Sequence, residues 1–327
     1  MKIVVGIPCF NEIDYIKQRI DDLLLTDHDH IVFLDDGSTD GGYEELLQYE
    51  KKYSHIHVFR NEKNSIKNYS LNRWMVLAKY CATFEPDWIE MRAMDQTYSK
   101  AFYAINGKSL FRERLEYYMD KDINMICFPI VNLWRSKWWF RSDGIWGNAV
   151  ITSVSNSCWK HNSGWEFVGP YRVSVAHQGA HRPNRFNGSM KVASINFVSD
   201  KQPLPLVVLH HGMSSHKKIA NKLNRQFRYS LNLDGQAIGM PSIKNPPHPS
   251  QWNGYNGYKL AHEQFLKLTR VRKEWVLGEV PDAPLPEIKS FFDVIVKYNE
   301  SVANQHRELY KKLDRTEIEY DLFKQFN

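Results

Sequence analysis

Between Lys2 and Met91 the chain alternates short apolar runs with segments of helical period, and no other feature limits its fold so strongly. Residues 2–7 read as a buried strand that halts at Pro8, a residue unable to continue a hydrogen-bonded ladder. Residues 12–25 then place Ile13, Ile16, Ile20, Leu23 and Leu24 on one helical face. The alternation continues with a strand over 30–34, a helix over 43–53, a strand over 56–59, a helix over 69–84 and a strand over 87–91. Strands separated by helices at this spacing require right-handed crossovers and a mostly parallel sheet. Ligands of such sheets bind beyond the carboxyl ends of the strands, where residues 8–12, 35–40 and 92–96 fall.

Past residue 106 the pattern changes. A helix over 109–119 precedes a strand over 125–133, an aromatic-rich stretch, and a further apolar strand over 204–209 that closes on His210 and His211. Residues 219–231 read as helix and the Pro/Gly/Asn-rich residues 239–257 as a long loop. Amphipathic segments over 258–272 and 287–326 predict a helical C-terminal extension. The expected division is therefore a domain over 1–232 and a loop-plus-helix extension over 233–327.

Composition narrows the function classes. The four cysteines are scattered without a CxxC pair, as in buried thiols of a reducing compartment rather than a zinc site or disulfide framework. No apolar run reaches the roughly 20 residues that span a bilayer, and the first strand starts too early for a signal peptide. The expected location is the cytoplasm. A net charge of +6, interspersed along the chain, argues against nucleic acid as partner. It suits anionic nucleotides, and leaves peripheral contact with acidic lipid headgroups open. Most of the ten tryptophans are expected in the core.

The motifs are more specific. Val4-Val5-Gly6-Ile7-Pro8-Cys9-Phe10-Asn11-Glu12, followed by Phe33-Leu34-Asp35-Asp36-Gly37-Ser38-Thr39-Asp40, resembles the opening of family 2 glycosyltransferases. The resemblance implies a Rossmann-like GT-A fold and a nucleotide-sugar donor. Asp36 matches the position that contacts the base, with Pro8, Phe10, Asn11 and Glu12 forming the accompanying turn. A fixed carboxylate suits this role because a ring N–H gives it a charge-assisted bond. Asp35 and Asp40 are also explained as residues that organise the turn or cap the next helix. Arg73 resembles the basic residue that family members aim at the diphosphate, with Lys67 as a rival.

Residues 87–96 sit where the family carries an Asp-x-Asp metal motif, yet Ala93 replaces the first Asp and Gln96 a following Glu, so Asp95 alone remains. A Mn²⁺ or Mg²⁺ ion needs few protein oxygens when diphosphate and water supply the rest. His210, within His210-His211-Gly212, matches the family's metal-contacting His, and Lys222 lies downstream. Inverting transfer also needs a group to take the acceptor's proton. The candidates are Asp143 and Glu166, with His177 and His181 behind them.

These readings predict a hexosyltransferase-type glycosyltransferase of polysaccharide biosynthesis, moving a sugar from a nucleotide-sugar to a glycan, lipid-linked or protein acceptor with inversion. The alternative is a catalytically weak or inactive GT-A domain that binds sugar or nucleotide. A nucleotidyltransferase is disfavoured, since the turn after the first strand has neither glycine nor a basic residue.

Overall fold

The computed structural model describes residues 1–61, 72–121, 125–133, 136–141, 151–160, 165–166, 185–186, 192–194, 206–212, 214–215 and 268–284. The first half follows the alternation: β1 (Ile3–Cys9), α1 (Ile13–Leu23), β2 (His30–Asp35), α2 (Gly42–Lys52), β3 (Ile56–Arg60), α3 (Asn72–Ala82), β4 (Trp88–Met91), β5 (Gln96–Tyr98) and α4 (Leu110–Met119). It continues with β6 (Met125–Asn132), β7 (Trp139–Arg141), β8 (Ile151–Lys160), β9 (Trp165–Glu166), β10 (Arg185–Phe186), β11 (Val192–Ser194), β12 (Val208–His210) and β13 (Leu268–Arg270).

Nine strands form one sheet, in the order β3-β2-β1-β4-β8-β6-β12-β5, with β11 also paired to β6. The pairs β1–β2, β1–β4, β2–β3, β6–β12 and β6–β11 are parallel. Those of β8 with β4 and β6, and of β5 with β12, are antiparallel. The chain thus builds outward from β1 to β3 and then returns to β1's other side with β4. That reversal opens a crevice at the carboxyl ends of β1 and β4.

Both faces of β1 are buried, which explains its unbroken apolar sequence. Ile3, Val5, Ile7 and Cys9 join Ile16, Ile20, Leu23, Phe33 and Trp88 in the larger core. Val4 packs on the other face with Val32, Leu34, Ile89, Met91 and, from α3, Leu77, Ala78 and Cys81. Gly6 permits that second layer. A Cβ there would stand 2.7 Å from Cys81 Sγ and 2.9 Å from Met91 Sδ. Trp88 and Trp275 are fully buried, in keeping with tryptophan as core. Ser109 caps α4 by accepting from Arg112 N at 3.0 Å.

Two local expectations are corrected. Pro8 does not end β1, which runs on to Cys9 with Pro8 opposite Leu34 of β2. Even-numbered residues of β1 turn their backbone groups toward β4, as Gly6 O does in accepting from Arg92 N at 3.0 Å. The donor Pro8 lacks therefore points past the end of β4, where no strand partner is lost. Residues 258–272 are not all helix: Leu268–Arg270 is a strand, antiparallel to β7. Its Leu-Thr-Arg sequence sits in extended pairing as readily as in a helix, and the cross-strand partners Phe140 and Trp139 decide the matter.

The chain divides into two compact units. The first comprises Met1–Asn132, Trp146–His210 and Val271–Pro281 and holds the nine-stranded sheet. The second comprises Leu133–Ile145, His211–Arg270 and Asp282–Asn327 and holds the β7–β13 ribbon. Within it, Arg270 pairs with Asp282 at 2.9 Å and donates to Ala283 O at 3.0 Å. The boundary expected at 232/233 lies outside the described residues, as do the helix over 219–231 and the loop over 239–257. Among the described residues, no helix is long and apolar enough to cross a membrane.

Candidate active site

The turns after β1 and β2 are built as one unit. Asn11 takes a left-handed conformation (φ 51°), which its short polar side chain tolerates. Its Oδ1 accepts from Thr39 N at 2.8 Å, and its own N–H donates to Ser38 Oγ at 3.0 Å. Asp40 accepts from Gly42 N and Ile13 N, both at 3.0 Å. It thus satisfies orphan donors at the starts of two helices. Gly41, not Asp40, occupies the N-cap position of α2 (φ 87°), so Asp40 caps from one residue further out. Glu12 stands at the N-cap of α1 without a side-chain cap bond. Within the first two turns, Asn11 and Asp40 therefore act as fasteners.

The two aspartates ending β2 divide their roles. Asp35 is fully buried and accepts from Gly37 N and Ser38 N, each at 3.1 Å from Oδ2. It also pairs with Arg60 Nε at 3.4 Å. Asp36, equally buried, has its Oδ1 held by Asn61 Nδ2 at 3.0 Å, while its N–H donates to Cys9 O at 2.9 Å. Arg60 donates to Ser38 O at 3.2 Å and lies 4.3 Å from the Tyr43 ring centre. Arg60 and Asn61 close β3, and the sequence reading passed over both. Their signal was position: a charged and an amide residue beside two aspartates, at the same edge of a parallel sheet.

At the end of β4 the chain turns tightly. Gln96 Oε1 accepts from Ala93 N at 3.2 Å, and Gln96 N donates to Ala93 O at 3.2 Å. The residue standing where the family carries Glu thus closes the turn that presents Asp95. His210 reaches the same place from β12. Its register opposite Gln96 of β5 brings His210 Nε2 to 3.1 Å from Asp95 Oδ2. The two side chains are 17% and 10% exposed. The strand pairings make β12 parallel to β1, so His210 sits on the sheet edge that carries Asp36 and Asp95. One carboxylate oxygen and one imidazole nitrogen suit Mn²⁺ or a similar divalent ion. Among the described residues, no group of three or more His, Cys, Asp or Glu is arranged to hold a metal.

Other candidates are placed less fully. Pro8 is buried within β1, and Phe10 follows at its carboxyl end, partly buried. Arg73 lies in the first turn of α3 and Glu166 on β9, with side chains outside the described residues. Asp143, Lys67, His177, His181 and Lys222 also lie outside them. His211 is buried in the second unit, where its carbonyl accepts from Ser214.

A mostly parallel sheet whose strand order reverses between β1 and β4, with acidic turns at its carboxyl edge, is the Rossmann-like GT-A class of fold. Residues 4–80 match the family model of Glycosyl transferase family 2. Over that segment the chain is similar to the family 2 glycosyltransferases. No curated protein matches the chain. Among solved structures it is similar to a TarS fragment, residues 1–349, from S. aureus in complex with UDP (14% identity, TM-score 0.42, covering 81% of this chain and 72% of that one). It is also similar to the mannosyltransferase PcManGT from Pyrobaculum calidifontis in complex with GDP-Man and Mn²⁺ (11%, TM-score 0.39, 80% and 70%). A third is GalNAc-T7 with UDP, GalNAc and Mn²⁺ (10%, TM-score 0.39, 79% and 54%). Likenesses this distant carry no argument about substrate or cofactor.

Proposed function

We propose that the chain transfers a hexosyl group from a nucleotide-sugar to a glycan, lipid-linked or protein acceptor, with inversion, in cytoplasmic polysaccharide biosynthesis. The observation that carries this reading is the meeting of Asp95 and His210 on the sheet edge where the Asp36 turn also stands. Asp36 accepts the base N–H, and Asn61 restrains its carboxylate. Phe10 and Pro8 line the base and ribose, while the turn of Asn11 and Glu12 holds them in place. Arg73, in the first turn of α3, supplies positive charge for the diphosphate.

Asp95 and His210 would hold the divalent cation, Mn²⁺ or Mg²⁺, with diphosphate oxygens and water completing its coordination. Bound there, the ion offsets the negative charge that grows on the leaving diphosphate. Asp143 or Glu166 takes the acceptor hydroxyl proton as that oxygen bonds to the anomeric carbon and the carbon–diphosphate bond breaks. The domain over 1–232 carries the chemistry in this reading, with 233–327 as an extension. The self-closed Ala93–Gln96 turn favours a second reading, a binding module that holds nucleotide without turnover.

Scanning fluorimetry against UDP, GDP and dTDP, with Mn²⁺ or with EDTA, tests the first reading. A nucleotide at 100 times its Kd should stabilise the protein by about 2.7 kcal/mol. Asp36→Ala should weaken that nucleotide by about 1.5–3 kcal/mol, the scale of a charged hydrogen bond. No stabilisation by any nucleotide would sink both readings. Binding without donor hydrolysis would select the module.

A further inference from the structure

Strand β4 carries a buried charge, Glu90, and a second, Arg92, follows directly after its last residue. Glu90 and Arg92 are two residues apart and both are fully buried. They pair with each other. Glu90 Oε2 also accepts from Tyr98 OH at 3.0 Å and meets His28 Nε2 at 2.7 Å. Tyr98 N donates to Asp22 Oδ1 at 3.1 Å, and Asp22 pairs with Arg19 at 2.7 Å. The Tyr98 ring lies between the two guanidiniums, 4.7 Å from Arg19 and 5.6 Å from Arg92. Buried ion pairs of this kind are often matched or bettered in stability by apolar residues of similar volume. Their value here must lie elsewhere.

The topology shows where. Along the sheet, β5 is the last strand of the path and stands four places from β4, with β8, β6 and β12 between them. Yet Tyr98 of β5 bonds Glu90 of β4, so the network ties together two strands that are not neighbours in the sheet. Asp95 stands between these strands, three residues beyond Arg92 and three before Tyr98. His210 comes with β12, which is registered on β5 through Val208 opposite Tyr98 and His210 opposite Gln96. The separation of Asp95 from His210 therefore depends on how β5 is seated, and the Glu90–Tyr98 bond is the contact that ties it to β4.

We propose that Glu90, Arg92 and Tyr98 are positioning residues for the Asp95–His210 pair: they hold β5 against β4 so that both side chains converge on one divalent cation. The inference rests on the metal reading given above. It predicts an effect on cation affinity without direct contact with the cation, as supporting groups around metal ligands commonly produce.

Mn²⁺ binding, read from the free-ion paramagnetic resonance signal with UDP and with GDP present, tests it. Tyr98→Phe keeps the ring and removes only the hydroxyl that reaches Glu90, and Glu90→Gln removes the charge. Each should weaken Mn²⁺ binding by about 10–100-fold. Nucleotide affinity in EDTA should stay unchanged, because Asp36 and Asn61 lie at the ends of β2 and β3. Leu46→Ala, a core truncation on α2, serves as a destabilised control that should lower Tm and leave Mn²⁺ binding alone. Wild-type protein that binds no Mn²⁺ with either nucleotide would overturn the metal reading and this inference together. Normal Mn²⁺ affinity in Tyr98→Phe, beside a wild type that binds it, would overturn the inference alone. Glu90→Gln leaves the Arg92 charge without its partner, so should it fail to fold, Tyr98→Phe decides.

Discussion

Gly6→Ala adds a single methyl at the most crowded point between β1 and α3. That methyl would meet Cys81 Sγ at 2.7 Å, Met91 Sδ at 2.9 Å and Leu77 Cγ at 3.0 Å. Ordinary contact lies near 3.5–4.0 Å, so these neighbours must retreat by roughly 0.5–1 Å. Met91 can move the end of a flexible side chain. Cys81 and Leu77 sit on α3, and their retreat means shifting a helix packed on Val4, Val32 and Ile89. Overpacking on this scale costs about 1–3 kcal/mol. Urea titration should show a lower midpoint with an unchanged slope, and Tm should fall by roughly 2–10 °C. Cys81→Ala in the same chain should restore part of the loss, giving a coupling above about 0.5 kcal/mol. Gly6→Ala within about 0.5 kcal/mol of wild type would refute the close approach of α3 to β1.

Asp40→Ala removes acceptors from Gly42 N and Ile13 N and should cost about 1–2 kcal/mol of stability with nucleotide affinity unchanged; weakened nucleotide binding would instead make Asp40 a ligand contact. Asp143→Asn should leave nucleotide binding intact and lower kcat by about 10²–10⁴, whereas near-normal transfer would move the proton acceptor to Glu166. His30 Nδ1 and His57 Nε2 lie 3.1 Å apart, and burial, then neighbouring positive charge, holds both imidazoles below their ordinary value. Between pH 7 and 5 the unfolded chain takes up protons that the folded pair resists, so stability should fall with pH in that window. His57→Gln should flatten the decline of Tm from pH 7 to 5; parallel profiles for the two proteins would exclude the pair as its source.

The N-terminal half was legible because β1, β2 and β4 are buried along almost their whole length and the helices between them are amphipathic. Period and length alone separate the two, and β1 to α3 fell close to where the pattern put them. Legibility failed where partners decide conformation. Leu268–Arg270 became strand because β7 lies beside it, and Pro8 stayed in β1 because β4 ends before the missing donor is needed. At the site, Asp95 and His210 were reachable through motif position, yet their meeting depends on a register between strands far apart in sequence. Asn61, Arg60 and the Glu90 network belong to no motif. A charge within an apolar strand, Glu90, and another just past its end, Arg92, are nevertheless visible as an anomaly in the sequence.

The Asp95–His210 contact spans 115 residues of chain, and this gives the protein a schedule. Loop closure over that length carries an entropic cost of about 4 kcal/mol by logarithmic scaling, whereas the β1–α1–β2 and β2–α2–β3 units close locally. At roughly 5–20 residues per second, a ribosome that has just made Asp95 needs about 6–23 s to reach His210. In the proposed reading, the Asp36 turn, complete once Asn61 has emerged, would be available to a nucleotide in that interval, while the Asp95–His210 pair waits for β12. A growing chain would thus be able to grip a nucleotide before it could activate one.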